Sequence, residues 1–133
     1  MRAEKVIYSL LSSKAAITNL VGTRIYPAPA PQDAALPCIT YSHVSTVALQ
    51  PTVLSVGDKL VRTLIDVAPI AKTYAEQKNL VEQIRLALEF EHGTIAGVDV
   101  TSIVRGSVGP DTRDDDLQMY TQSIEFVVTL VET

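Results

Sequence analysis

Four of the seven prolines in this 133-residue chain fall in one stretch, Gly22 to Tyr41, which reads GTRIYPAPAPQDAALPCITY. Proline fixes φ and removes a backbone donor, so Pro27, Pro29, Pro31 and Pro37 exclude a helix there. They impose an extended connector between two short strand-like pieces. The stretch holds no His, no Lys and no glycine-rich cradle. It reads as a shaped crossing rather than catalytic equipment.

The sequence on either side is ordered by its periodicity. Ala3, Val6, Ile7, Leu10 and Leu11 recur at helical spacing and predict an amphipathic first helix. Ser13 is placed to cap a second short helix carrying Ile17, Leu20 and Val21, with Gly22 at its C-terminal end. After the crossing, Ile39 to Val47 favours a strand. Val47 to Gly57 reads as a long hairpin loop, because Pro51 argues against a central strand and Gly57-Asp58 marks a turn. That loop is unusually apolar, with Leu49, Val53, Leu54 and Val56. Two readings stand for it: it projects and contacts another subunit, or it folds back on its own core.

Lys59 to Ala68 predicts a strand ended by Pro69. Tyr74 to Glu91 predicts the longest helix, opened by the capping-box pair Thr73 and Glu76. Leu80, Val81, Ile84, Ala87 and Leu88 form its apolar stripe, and Glu82, Arg85 and Glu89 are spaced for ion pairs. Gly93 is its expected stop. Val98 to Val108 and Leu117 to Val131 are the last strands. In the latter Tyr120, Ile124, Phe126, Val128 and Leu130 alternate with Thr121, Ser123, Glu125 and Thr129, as a sheet covered on one face requires. The expected architecture is one α+β domain over residues 1–133. It has an antiparallel or mixed four-stranded sheet with helices packed on one face.

Composition narrows the function classes. The net charge is −4 and the 11 basic residues are scattered, which excludes nucleic-acid binding through a broad basic face. One cysteine, Cys38, cannot form an internal disulfide. No apolar run has the length of a membrane span, and the interrupted apolar pattern at the N-terminus is unlike a signal peptide. The expectation is a soluble protein made in the cytoplasm.

Chemistry-bearing patterns are sparse. His43 and His92 stand in no HxH, HExxH or CxxC setting, so no metal site is read. His43 reads as an ordinary strand residue and His92 as a cation near a helix end. Cys38 and His43 are five residues apart on one strand and so face opposite ways, which leaves Cys38 a small buried thiol. Asp111, Asp114, Asp115 and Asp116 lack the glycine and distal glutamate of an EF-hand. They form either a solvated loop or, with Arg113, a contact for a partner's arginines. No phosphate-cradling or nucleophile-elbow motif occurs. No catalytic residue and no cofactor is expected. Binding surfaces remain, with Leu49, Pro51, Val53, Leu54, Asp111, Arg113, Asp114 and Asp115 as the candidate interface.

Taken in order, several segments resemble the small tail completion proteins of long-tailed bacteriophages, prophages and gene transfer agents. They are the initial helix, VGTRIYP, ALPCITY, TYAEQKNLVEQIRLAL, GTIAGVDVTSI and YTQSIEFVVTL, and they cover nearly the whole chain. Cys38 departs from the resemblance, standing where a larger, often aromatic residue belongs. The resemblance implies a tail-terminator-like fold and a structural role in the virion, not an enzyme. It implies a six-membered ring at the head-proximal end of the tail, built from copies that can be monomeric when isolated. The ring would stop tail-tube growth and meet the tail tube protein and the head connector proteins. DNA would pass through it without specific binding, and assembly would take place in the host cytoplasm. The competing reading is a small cytoplasmic enzyme or ligand-binding domain, using a cleft under the proline-rich crossing with Arg24, Tyr26 and Arg62.

Overall fold

The computed structural model describes residues 2–31, 33–55, 58–115 and 118–132, and the side chains of these except 2, 50–55, 58 and 59. Two helices come first, α1 (Arg2–Ser13) and α2 (Ala15–Val21), then strands β1 (Ile25–Pro27), β2 (Cys38–Ser55) and β3 (Asp58–Ala71). Helix α3 (Tyr74–Leu88) follows, and then β4 (Gly93–Ile95), β5 (Val98–Val108), β6 (Thr112–Asp114), β7 (Met119–Thr121) and β8 (Ile124–Glu132). No described helix is long and apolar enough to cross a membrane.

The fold is α+β, but the sheet is larger than the four strands expected. Among the described residues it has eight strands, in the order β1-β2-β3-β8-β5-β4, with β7 pairing β3 and β6 pairing β7. It is mixed: β1 runs parallel to β2, through Ile25–Ile39 and Tyr26–Thr40, and every other pair is antiparallel. The extra strands β1, β4, β6 and β7 are three residues each, too short to leave a periodic trace in the sequence.

The proline-rich crossing is the return path that sets β1 beside β2. Two of its peptide bonds, Ala28–Pro29 and Leu36–Pro37, are cis. Arg24 pins it, donating from Nε to the Pro37 carbonyl at 2.9 Å and from Nη2 to the Leu20 carbonyl at 3.2 Å. The Ile39 amide donates to the Arg24 carbonyl at 3.0 Å and the Ala28 amide to the Tyr41 carbonyl at 2.9 Å, which closes the loop at both ends.

One buried apolar cluster joins all three helices to the sheet. It contains Val6, Ile7 and Leu11 of α1, Ile17 and Val21 of α2, and Leu80, Ile84 and Leu88 of α3. The strands supply Ile39, Val61, Ile65, Val67, Val100, Ile103, Ile124, Phe126, Val128 and Leu130. The alternation read in the last strand is therefore real: Ile124, Phe126, Val128 and Leu130 are buried while Glu125, Val127 and Thr129 are half-exposed. That strand is broken at Gln122–Ser123, so its first part, β7, leaves β8 and continues the edge of β3 at Ile70–Thr121.

Several local expectations need correction. Of the segment 47–57, residues 47–55 are strand rather than loop, and Val56 and Gly57 lie outside the described residues. β2 runs through it to Ser55 and pairs with β3 up to Ser55–Asp58. The ladder tolerates Pro51 because the register shifts between Ala48 and Val53, and because β2 has β1 as a neighbour on its other side only at Ile39–Tyr41. Pro69 does not end β3. It falls between the last β8 pair, Val67–Ile124, and the first β7 pair, Ile70–Thr121, where no strand on that side needs its missing N–H. Ser13 belongs to α1, bonding back to the Ser9 carbonyl at 2.6 Å, and Lys14 precedes α2 without a side-chain cap. Gly22 does end α2, with φ 61. Helix α3 stops at Leu88, well before Gly93: Glu89 is already extended, with ψ 132, and Phe90 takes a left-handed φ of 64.

The opening of α3 follows the sequence: Thr73 Oγ1 accepts from the Glu76 amide at 3.2 Å. Its surface charges also pair as spaced. Arg85 bridges Glu82 and, at 3.1 Å, Glu89, and Glu89 also meets Arg105 of β5 at 3.2 Å. The Arg85 hydrogen bond holds the Glu82 carboxyl below its ordinary range.

Candidate assembly surface

The acidic stretch after β5 is exposed from Asp111 to Asp115, and Asp111 and Arg113 are tied into a clasp. Lys78 Nζ donates to Asp111 Oδ1 at 2.6 Å and to Gln122 Oε1 at 3.0 Å. Tyr74 Oη donates to Asp111 Oδ2 at 3.2 Å. Gln122, largely buried, donates from Nε2 to the Gly109 carbonyl at 2.8 Å. The rings of Tyr74 and Tyr120 meet edge to face at 6.0 Å, with Lys78 over the first and Arg113 over the second. Arg113 also pairs with Asp115 at 2.9 Å. The Asp111 hydrogen bond is the main cause that raises the Lys78 ammonium above its ordinary value. The clasp ties the start of α3 to the turn leading into β6. Gln122 apart, its members are half-exposed or exposed, so its ion pairs orient the loop more than they stabilise the fold.

The other half of the predicted interface lies elsewhere. Leu49 is half-buried on β2, and Pro51, Val53 and Leu54 belong to the same strand, with side chains outside the described residues. These positions flank the β2–β3 turn at the Asp58 end of β3. The clasp lies at the Ala71 end, where β7 pairs with Ile70 and Ala71. β3 has 14 residues, so the two groups are separated by most of its length, roughly 45 Å at the usual rise of an antiparallel strand. The structure thus brings Asp111, Arg113, Asp114 and Asp115 together and sets them apart from Leu49, Pro51, Val53 and Leu54. Asp116 lies outside the described residues.

Under the proline-rich crossing there is a recess of about 420 Å³, lined by Ala30, Pro31, Ala34, Leu36, Cys38, Ile70 and Met119. Its lining is apolar, and Arg24, Tyr26 and Arg62 are not part of it. Arg24 is committed to two backbone carbonyls, and Arg62 is exposed on β3 opposite Val47 and Thr129. The three groups do not converge. Among the described residues no group of three His, Cys, Asp or Glu side chains is placed to hold a metal.

Cys38 is fully buried, while His43 is exposed and bonds through Nε2 to Thr46 Oγ1 at 2.7 Å. Burial pushes the Cys38 thiol above its ordinary value of 9.0, against the lowering pull of the Arg24 charge. The protonated form is thus favoured by the fold. Its contribution to stability is fully present below the ordinary thiol value and is lost as pH rises through the raised one. Iodoacetamide at pH 8 is expected to label Cys38 at least about 100-fold more slowly in the folded chain than in urea. Equal rates, followed by mass spectrometry, would refute an inert thiol.

The family model for tail completion protein gp17 matches residues 5–129. The chain belongs to the tail completion protein gp17 family. It is a structural protein of a phage-type tail. The fold agrees with a solved chain from the virion of a native gene transfer agent particle. The TM-score is 0.73 and the identity 16%, over 96% of this chain and 92% of that one. A second solved chain matches with a TM-score of 0.57 and 14% identity, over 97% of this chain and 92% of that one. No curated protein sequence matches.

The clasp and the true extent of β2 were not legible beforehand. The clasp joins residues 33 to 44 positions apart, which no local pattern reports. The one available signal was the pairing of aromatic and basic residues at Tyr74/Lys78 and Arg113/Tyr120.

Proposed function

We propose that this tail completion protein forms a ring at the head-proximal end of the tail, where it ends tail-tube growth and joins tail to head. The family match over residues 5–129 carries the reading. The likeness in fold to a chain of a gene transfer agent virion supports it. Residues 1–133 act as one domain, with the helices packed on the sheet face that carries Phe126. The chain is not an enzyme and uses no cofactor; the apolar lining of its recess suits packing better than catalysis.

Besides the patches that join copy to copy, a ring between two other assemblies needs a surface for a partner at each end. The hairpin end of β2–β3, with Leu49, Pro51, Val53 and Leu54, supplies one partner surface. The clasp end, with Asp111, Arg113, Asp114 and Asp115, supplies another. Six copies meet the tail tube on one side and the head connector on the other, at the head–tail junction. Assembly occurs in the host cytoplasm from copies that can remain monomeric alone. DNA passes through without specific contacts, consistent with an acidic chain.

Deleting the coding region from the particle-producing genome tests this. Electron microscopy should show tails of abnormal length, or heads and tails that fail to join. Joined particles with tails of normal length would overturn the proposal.

A further inference from the structure

The sheet has two open edges, one at each margin. β1 covers β2 only at Ile39–Tyr41, and among the described residues no strand pairs with the outer side of β2 from Ser42 to Leu49. β4 covers β5 only at Val98–Val100, and the Ile103 carbonyl is taken by the Phe90 amide at 2.8 Å. From Val104 to Val108 the outer side of β5 carries no described strand partner. Monomeric proteins blunt such edges with lysine, proline or cover, because an open ladder recruits another strand. These two stretches hold no lysine and no proline; each carries one register shift, at His43/Ser45 and Arg105/Val108, and the charge of Arg105 is paired with Glu89.

They also hold exposed valines. Eight large apolar side chains are exposed among the described residues, and four of them lie on these two edges: Val44 at 48%, Val47 at 55%, Val104 at 47% and Val108 at 44%. Register places Val47 opposite Arg62, and Val104 opposite Val127, on the face turned away from Phe126.

We propose that the β2 edge of one copy pairs with the β5 edge of the next, so that the sheet is continuous around the ring. The inference rests on the ring reading and names the surface that closes it. Strand direction supports it. β2 is antiparallel to β3, β3 to β8 and β8 to β5, so β2 and β5 run in opposite senses within one copy. Rotation about an axis that preserves strand sense therefore brings a neighbour's β5 antiparallel to β2. The same rotation keeps Val47 and Val104 on one face, where cross-strand apolar pairs form. A two-fold axis would instead set β2 against β2.

Size is also consistent. Each copy contributes β2, β3, β8 and β5, about 19 Å of arc at the usual strand spacing. Six copies give about 24 strands, whereas barrels of about 16–18 already enclose an aqueous channel. The occupant of each edge is thus another copy of this chain, held by main-chain hydrogen bonds.

The test uses the deletion strain, complemented with the full chain carrying Val47→Lys or Val104→Lys. Either lysine is expected to lower the yield of joined particles at least about 100-fold, while Val47→Thr restores it. Normal yield with both lysine variants overturns the inference yet leaves the deletion phenotype, and so the ring reading, intact. A second arm needs no lysine variant to fold. Particles carrying Val47→Cys with Val104→Cys in a Cys38→Ala chain are treated with a short bifunctional thiol reagent. A ladder of multimers is expected, and none from either single-cysteine chain. No ladder, or a dimer from Val47→Cys alone, overturns the inference.

Discussion

Replacing Phe126 by Ala is expected to cost about 3–5 kcal/mol of folding stability, while replacing its neighbour Val127 by Ala costs roughly 1. Phe126 is fully buried in β8, in the cluster shared by all three helices, and it faces Ile65 across the ladder. Truncating it removes the transfer energy of the ring and leaves a void that the surrounding helices and strands fill only in part. Val127 points the other way, in register with Leu64 and Val104, and is half-exposed. It loses little when shortened. Urea unfolding of the purified chain measures both. A domain of this size has about 5–15 kcal/mol to lose, so Phe126→Ala should shift the midpoint to low urea or leave part of the population unfolded. Similar costs at the two positions would mean that the sheet is not one-sided, and would remove the basis for an exposed second face.

The contrast between those neighbours was legible in the sequence, because alternation along YTQSIEFVVTL needs no tertiary information. So was α3, where Leu80, Ile84 and Leu88 repeat at helical spacing and Thr73 caps as expected. What failed was reading proline as punctuation. Pro51 and Pro69 both lie inside strands, because a proline is excluded only where a neighbour needs its N–H. Whether a neighbour is there depends on sheet order, which local sequence does not hold. At Pro51 no strand lies on the outer side among the described residues. At Pro69 two strands, β8 and β7, leave a gap between them. The open edges follow from the same missing information. Nothing in HVSTVAL or VRGSV says that β1 and β4 stop after three residues. That the candidate interface positions fall at two ends of β3 was not legible either, because it depends on which strands pair.

Gln77 is the position where sequence and packing disagree most, and replacing it by Met is expected to stabilise the chain by about 1–3 kcal/mol. It heads the apolar stripe of α3, three residues before Leu80 and seven before Ile84, and its side chain is fully buried. Neither Nε2 nor Oε1 has a hydrogen-bond partner among the described residues. Burying an amide without partners costs roughly 1–3 kcal/mol on protein scales. Methionine has a similar unbranched length, so it keeps the contacts and removes the unpaired atoms. Gln77→Glu is the opposite probe. It places an ionisable group in the same site, and its stability should fall as pH rises past the ordinary carboxylate range, because the buried form must stay protonated. Thermal unfolding at pH 5 and pH 8 separates the three chains. If Gln77→Met unfolds at a lower temperature than the parent, the amide has a partner in solution, such as an ordered water. Gln77 would then be a satisfied polar anchor for α3 rather than a cost that the core carries. If Met stabilises but lowers the yield of joined particles, the glutamine is retained for assembly. The combined stability and assembly measurements on this one residue therefore tell folding constraints from ring constraints in the helical layer.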